Sequence, residues 1–441
     1  MVDETPAILG GSKAVQHDLP PWPVVTEEII EAVVAALRSG KMSETADTGF
    51  NVVLEEAFKR YHGCQYALAV NSGTAALDSA VFAAGVGPGD EVITSPLVPG
   101  YVVTPILHLN GIPVFADVDP KTGCIAPDEI EKHITPATRA IMVVHLNGHP
   151  ADMCPIMEIA ARHNLKVIED CAHSQGSIYK SRKVGVLGHV AAFSLQSVKN
   201  MPCGEGGMVL TNDRETYERA TLVAHHPVRL DQCLTMETYR QYKDTGLGWN
   251  YRIHLAAAAI GIVQMKHFDD IMALRRKNAD IINHALEPLP GVGGTYVAPG
   301  CVHTYYAQML SYNADELGGL PLGAFRNALA AEGVRVGMIG ASVHGFGIFR
   351  DKEFYGKGCP WKCRFAQAER SYDNLHFPRL ESMRSSTFCI GGGGGFVTEN
   401  AEVIHEIANA FRKVTANADR IREAAIHSGA GSWDLLPKRN L

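Results

Sequence analysis

Val167-Ile168-Glu169-Asp170 reads as an apolar run closing on an acidic residue, and Lys199 follows 29 residues later in Phe193-Ser194-Leu195-Gln196-Ser197-Val198-Lys199-Asn200. A carboxylate beside a pyridine nitrogen keeps that nitrogen protonated, so the ring accepts electrons from a substrate carbanion, while a lysine amine forms a Schiff base and then carries the proton. The pairing suits pyridoxal 5'-phosphate (PLP). Alone, neither residue is distinctive, because aspartates at strand ends cap turns and lysines are mostly solvated. A third motif adds to the pair. Ala67-Leu68-Ala69-Val70 reads as a short buried strand, and Asn71-Ser72-Gly73-Thr74-Ala75-Ala76-Leu77 as the turn opening a helix. Gly73 lets backbone come close, and the N–H groups of a first helical turn face whatever anion lies there, which suits a phosphate. Asp170 and Lys199 are thus the candidate catalytic residues and Ser72, Gly73 and Thr74 the candidate phosphate ligands, although either hydroxyl would serve equally as a helix cap.

Such motifs need strands to position them. Helix-period segments at Glu27–Leu37, Val52–Tyr61, Thr74–Ala84 and Pro155–His163 alternate with strand-like runs at Tyr66–Val70, Glu91–Thr94, Val114–Ala116, Ala140–His145 and Lys166–Glu169. This rhythm predicts an α/β fold with a mostly parallel sheet covered on both faces, the candidate residues falling at the carboxyl ends of strands where such sheets bind ligands. Beyond Gly261 the pattern changes to a helix from His267 to about Leu286 and a Pro/Gly-rich segment, Pro288–Gly300. A strand at Thr304–Ser311, a helix at Leu322–Glu332, a loop around Gly337–Gly347 and an amphipathic helix at Glu402–Val414 follow. The expected division is a large cofactor-binding domain with an N-terminal arm over residues 1–265, a smaller C-terminal α+β domain over 266–425 and a tail over 426–441. The run Gly391–Gly395 is expected to be a flexible loop.

Composition excludes several classes. With 441 residues, 46% hydrophobic and 20% charged, the chain has the balance of a globular protein large enough for two or three domains. Its net charge of −7, from 40 basic and 47 acidic residues, and the lack of a basic run argue against nucleic acid as a partner. No apolar segment reaches the roughly 18 residues of a membrane span, and Met1-Val2-Asp3-Glu4-Thr5-Pro6 lacks a leader pattern, so a cytoplasmic location is expected. The ten cysteines are scattered, as in a reducing compartment. Cys359 and Cys363 form the only close pair, and without a third ligand at suitable spacing no metal is expected.

Six motifs in order carry a family resemblance: Ser39-Gly40, Asn71 to Leu77, Val114-Phe115-Ala116-Asp117-Val118-Asp119, Glu169-Asp170-Cys171-Ala172-His173, Lys199-Asn200 with Gly204-Glu205-Gly206-Gly207, and Gly248-Trp249-Asn250-Tyr251-Arg252. Together they resemble the DegT/DnrJ/EryC1/StrS family of vitamin-B6-dependent sugar and cyclitol aminotransferases, nearly end to end. The resemblance implies PLP fold type I, aspartate-aminotransferase-like, with PLP held covalently on Lys199. It further implies that Asp170 faces the pyridine nitrogen, that His173 lies near the ring's phenolic oxygen, and that Gly73, Thr74 and Ser194 hold the phosphate. Asn250 would reach the phosphate of a neighbouring subunit, which implies a homodimer with shared active sites. The implied activity moves an amino group from glutamine or glutamate, through pyridoxamine phosphate (PMP), to a keto-sugar or keto-cyclitol.

Ile8-Leu9-Gly10-Gly11 with Pro20-Pro21-Trp22-Pro23 resembles the antibiotic-pathway branch of that family, which includes deoxy-scyllo-inosose aminotransferases and aminohydroxybenzoate synthase. That branch favours a free cyclitol or unactivated ketosugar as acceptor. A B6-dependent sugar dehydratase on the same fold would carry histidine in place of Lys199, and a non-catalytic relative would not need the full set of residues. Two positions depart from the family pattern. Pro99 stands where the family stacks an aromatic ring on the cofactor, leaving Tyr101 as the alternative cover, and Ile253-His254-Leu255 replaces a Met-Ser/Thr-Asp/Glu sequence, so a polar contact is missing or comes from His254.

Overall fold

The structure is a computed structural model in which residues 4–340, 342–366, 370–393 and 395–427 are described. Seven strands form the main sheet: β1 (Tyr66–Val70), β2 (Glu91–Thr94), β3 (Ile112–Phe115), β4 (Thr138–Val144), β5 (Lys166–Asp170), β6 (Val190–Ser194) and β7 (Gly207–Thr211). Their order is β1-β7-β6-β5-β4-β2-β3. Only β7 runs against its neighbours, pairing antiparallel with β1 and β6, while the other pairs are parallel. Residues in β2, β3, β6 and β7 are buried throughout, as a sheet covered on both faces requires. The strands β6 and β7 escape the sequence reading because each is a short apolar run beside glycines and serines. Helix Gly73–Ala83, buried along most of its length, lies across β6 and β7.

The division expected at residue 265 is not what the structure shows. One helix runs unbroken from Leu255 to Leu286, beginning twelve residues before His267. Its first turns, Leu255-Ala256-Ala257-Ala258-Ala259-Ile260, have no polar face, so no helical period marks them. Phe268 and Met272 belong to the core beneath the main sheet, whereas Ile282 and Leu286 belong to a second core. This helix therefore passes from one core to the other.

The second core lies against an antiparallel sheet of Val292–Gly293, Ala307–Tyr312, Thr387–Gly391 and Val336–Met338. The N-terminal arm packs here and not on the large core: Ile8, Leu9, Val15 and Leu19 touch it, and Glu332 accepts hydrogen bonds from the N–H groups of Ala7 and Ala14, both at 2.7 Å. Conversely, the segment after Met338 returns to the main sheet. Ile339, Phe349, Trp361 and Met383 are buried in the first core, Tyr372 donates to the Pro113 carbonyl at 2.7 Å, and Arg370 grips Glu91 at 2.6 and 2.8 Å. At the C-terminus a helix, Ala418–His427, covers the first residues of the expected tail, and residues 428–441 lie outside the described residues.

The end of β5 is braced from behind. Glu169 is buried and accepts hydrogen bonds from the N–H groups of Gly185 (2.8 Å), Leu187 (2.8 Å) and Gly188 (2.7 Å). His145, whose Nδ1 accepts from Ala151 N–H at 3.0 Å, is left to donate from Nε2 to Glu169, also at 3.0 Å. Burial alone would raise the Glu169 carboxyl, but the hydrogen bonds and charge of its partners hold it below the usual carboxylate range. A pKa lowered in the folded state adds stability above the unfolded value of about 4.3 and loses it as pH falls further. The thermal midpoint of the wild type is therefore expected to drop more steeply than that of Glu169→Gln as pH falls from about 5 through the lowered Glu169 pKa, to about 3. Parallel declines would show that the charge on Glu169 does not stabilise the fold.

Candidate active site

The carboxyl ends of β5 and β6 and the turn after β1 surround a cavity of about 270 Å³. Seven of the sequence-predicted residues line it: Ser72, Gly73, Thr74, Tyr101, Asp170, Ser194 and Lys199. His173 stands beside it, stacked on the lining residue Tyr306 with ring centroids 4.1 Å apart and planes at 11°. Asn250 is not brought in. Its side chain is exposed, and its backbone carbonyl accepts a hydrogen bond from Asn71 Nδ2 at 3.2 Å.

One end of the cavity is built for an anion. Ser72 caps the Gly73–Ala83 helix, its Oγ accepting from Ala75 N–H at 3.1 Å, so its side chain serves the helix as the alternative reading had it. The N–H groups of Gly73 and Thr74, in the first turn, have no acceptor within the helix. A Cβ on Gly73 would lie 2.5 Å from the Cβ of Ser194, and one on Gly207 would collide with the Ser72 carbonyl oxygen. Glycine at both positions thus lets the turn sit directly on β6 and β7, bringing Thr74 and Ser194 to the same lining.

The other end carries the buried pair. Lys199 is buried, and desolvation brings its ammonium pKa down to about 8 against the opposing pull of Asp170. Desolvation likewise raises the Asp170 carboxyl above its usual range, while the Ala172 N–H at 2.9 Å and the Lys199 charge pull it back. Lys199 Nζ lies 4.9 Å from the centre of the Tyr306 ring. Burial drives His173 well below the ordinary histidine pKa, so it is neutral, and its Nδ1 has no hydrogen-bond partner among the described residues. An unpartnered buried nitrogen, a cradle open to an anion and a desolvated lysine beside a carboxylate fit PLP: Gly73, Thr74 and Ser194 for the phosphate, Asp170 for the ring nitrogen, His173 for the phenolic oxygen.

Tyr101 rather than Pro99 reaches this cavity. Pro99 caps the helix Gly100–His108 and lines a neighbouring cavity, whereas Tyr101, in the first turn, is 52% exposed and lines the cofactor cavity. The second departure is also resolved locally: His254 Nδ1 accepts from Ala256 N–H at 3.2 Å, capping the long helix. Several contributors went unseen in the sequence. Tyr306 comes from the second sheet's side of the molecule, Gln175 donates to the Ser194 carbonyl, and Trp22 Nε1 donates to the Lys199 carbonyl at 3.1 Å. The Arg275 guanidinium lies 5.4 Å from the Trp22 ring and donates to the Tyr305 carbonyl at 3.2 Å, joining the arm, the lysine loop and the Tyr306 strand. Pro20-Pro21-Trp22-Pro23 marked the arm, but nothing local places Tyr306 near Lys199. His145, Glu169 and Cys171 lie close enough together for a cation. The Glu169 oxygens are occupied by N–H donors and burial keeps the Cys171 thiol protonated, so this group acts as the brace behind Asp170.

Comparison with known proteins agrees with this geometry. Residues 23–373 match the model of the DegT/DnrJ/EryC1/StrS aminotransferase family. The L-glutamine:scyllo-inosose aminotransferase of Streptomyces griseus is 30% identical over 96% of this chain and 100% of its own. The L-glutamine:2-deoxy-scyllo-inosose aminotransferase of Streptoalloteichus tenebrarius is 34% identical over 74% of this chain and 78% of its own. Among solved structures, 3-amino-5-hydroxybenzoic acid synthase superposes with a TM-score of 0.75 at 25% identity, over 91% of this chain and 99% of that one. The chain belongs to the DegT/DnrJ/EryC1/StrS aminotransferase family and is a PLP-dependent aminotransferase of fold type I.

Proposed function

We propose that the enzyme transfers the amino group of glutamine to a free keto-cyclitol of the scyllo-inosose kind, in secondary metabolism, as a cytoplasmic homodimer. The observation that carries this reading is the buried Asp170 and Lys199 pair beside the helix-start anion site, in a chain matched over 96% of its length by a glutamine:scyllo-inosose aminotransferase. All ten cysteines are unpaired, which suits a reducing compartment, and no helix among the described residues is long and apolar enough to cross a membrane.

When bound, PLP supplies a carbonyl carbon that amines capture and a ring that accepts an electron pair. Asp170 keeps the ring nitrogen protonated, which makes that acceptance favourable. Lys199 works as a neutral amine, first as the covalent anchor and then as the base that takes the donor's α-proton and delivers a proton to the acceptor carbon. Its pKa of about 8 leaves a substantial neutral fraction near neutrality. His173, neutral and with an Nδ1 unpartnered among the described residues, would hold the phenolic oxygen, and Tyr101 would cover the ring. Asn250 is exposed, directly after exposed Trp249 and three residues past exposed Leu247, residues of the kind that interfaces bury, and this supports its reaching a partner's phosphate.

Because the neutral amine is the reactive form, coupling of PLP to Lys199 in apo-enzyme is expected to speed up as pH rises through about 8 and to level off above it. Borohydride reduction and peptide mapping measure this. A rate still climbing near the ordinary lysine pKa of about 10.4, or label on another lysine, would contradict the assignment. For the shared site, an inactive Lys199→Ala chain mixed with an inactive Asn250→Ala chain is expected to regain activity, since one site of each heterodimer receives both intact residues. A heterodimer confirmed by mass but no more active than either parent would rule this out. The acceptor is tested by giving holoenzyme and glutamine either scyllo-inosose, 2-deoxy-scyllo-inosose or a nucleotide-linked ketosugar. Mass spectrometry is expected to find an aminated cyclitol, and amination of the nucleotide sugar alone would overturn the reading.

A further inference from the structure

The helix Gly73–Ala83 carries a buried carboxylate that its anion-binding end does not use. Asp78 lies about a turn and a half past the helix start. It is 4% exposed, in a helix whose other buried residues are alanine, leucine, valine and one serine. A carboxylate is not kept in such a place without partners. Asp78 has two: Oδ1 accepts from His108 Nδ1 at 2.8 Å and Oδ2 from the Tyr251 hydroxyl, also at 2.8 Å. A carboxylate oxygen only accepts, so Nδ1 carries the proton, and the contact raises the His108 pKa above its ordinary value. Burial and the same carboxylate keep the Tyr251 hydroxyl protonated.

These two rings hold the segment on which Asn250 sits. The Trp249 ring stands edge-on to both, 6.4 Å from His108 at 75° and 5.5 Å from Tyr251 at 69°. Asn250 lies between Trp249 and Tyr251 in the chain, so each of its neighbours is set by a ring that Asp78 fixes. The backbone is fastened as well. Asn71 donates from N–H to the Tyr251 carbonyl at 2.6 Å and from Nδ2 to the Asn250 carbonyl at 3.2 Å, and Arg252 bridges antiparallel to Val70. Asn71 directly precedes Ser72, so the segment is tied to the phosphate turn of its own chain. Asn250 is nevertheless exposed and does not line that chain's cofactor cavity. A segment held this closely to one site, yet contributing nothing from Asn250 to it, is placed to serve another chain.

We propose that Asp78 is a positioning residue for the partner subunit's active site: through Tyr251 and His108 it sets Trp249 and Asn250, so that each phosphate helix aligns the residue its chain lends across the interface. The inference rests on the shared-site reading. The test titrates apo-dimers with PLP and with pyridoxal, following the aldimine absorbance that only a site bearing Lys199 gives. In homodimers, Tyr251→Phe and Asp78→Ala are each expected to raise the PLP Kd by about tenfold, the loss of one hydrogen bond to a charged group, and to leave the pyridoxal Kd unchanged. Tyr251→Phe removes a single oxygen and leaves the His108 contact intact, so it decides the matter should Asp78→Ala not assemble. Heterodimers then separate the chains. When Lys199→Ala sits on one chain and Tyr251→Phe on the other, the aldimine-forming site receives an intact Asn250 segment, and wild-type PLP affinity is expected. When both changes sit on one chain beside a wild-type chain, that site receives the loosened segment, and the tenfold loss is expected. The reverse pattern, or an equal rise in the PLP and pyridoxal Kd, would show that Asp78 and Tyr251 only support their own chain and would overturn the inference. Asn250→Ala is run in the same two arrangements. If it follows the cross-chain pattern and Tyr251→Phe does not, this inference alone fails; if Asn250→Ala does not follow it, the shared-site reading fails and takes the inference with it.

Discussion

Two opposite charges taken out of water at one place set the terms for the rest of the molecule. Asp170 and Lys199 are both buried, and desolvation pushes each toward its neutral form while their mutual attraction pulls it back. Such a pair is held only where its surroundings leave few alternatives, because unpaired buried charge costs several kcal/mol per ion, on the order of 3–5 when one partner is lost. The chain supplies that confinement from both sides. Behind Asp170, Glu169 locks the 185–188 turn and His145 through four hydrogen bonds, and His145 N–H reaches the Asp170 carbonyl at 3.1 Å. At Lys199, the carbonyl is held by Trp22 from an arm anchored through Glu332 on the second core.

The same constraint explains features that look unrelated. The reversed strand β7 brings Gly207 against the Ser72 carbonyl, so the anion-binding turn is pressed onto β6 at Ser194, the last residue of that strand and part of the cavity lining. The long helix from Leu255 to Leu286 crosses between the cores, and Arg275 on it joins Trp22 to the Tyr305 carbonyl. Tyr306, next along, offers one face to His173 and lies within reach of the Lys199 amine. The active site is thus a meeting point of the arm, the main sheet and the second sheet.

Legibility in the sequence followed how local each feature is. β1 and β2 were readable to the residue, and Asp170, Lys199 and the Ser72-Gly73-Thr74 turn stood out because each is a short motif whose chemistry is carried by its own neighbours. Ser72 was legible only as two alternatives, and the structure commits its side chain to capping. The helix start at Leu255 was invisible because an apolar segment without a polar face has no period. The arm's docking on the second core and the return of residues after Met338 to the first depend on contacts across hundreds of residues, which no window contains. Tyr306 belongs to that class, and Asn250 was placed by resemblance alone, its partner lying outside a single chain.

In the proposed function Asp170 acts on the ring nitrogen as a charge and not merely as a strand-end cap. The most direct measurement is the single-turnover reaction of glutamine with Asp170→Asn holoenzyme, with borohydride mapping to show that PLP is still attached at Lys199. Asparagine keeps the shape and the acceptor for Ala172 N–H but cannot hold the nitrogen protonated, so the rate is expected to fall by roughly tenfold to a hundredfold or more, the equivalent of about 1.5–3 kcal/mol. An unchanged rate with cofactor bound at Lys199 would contradict the account.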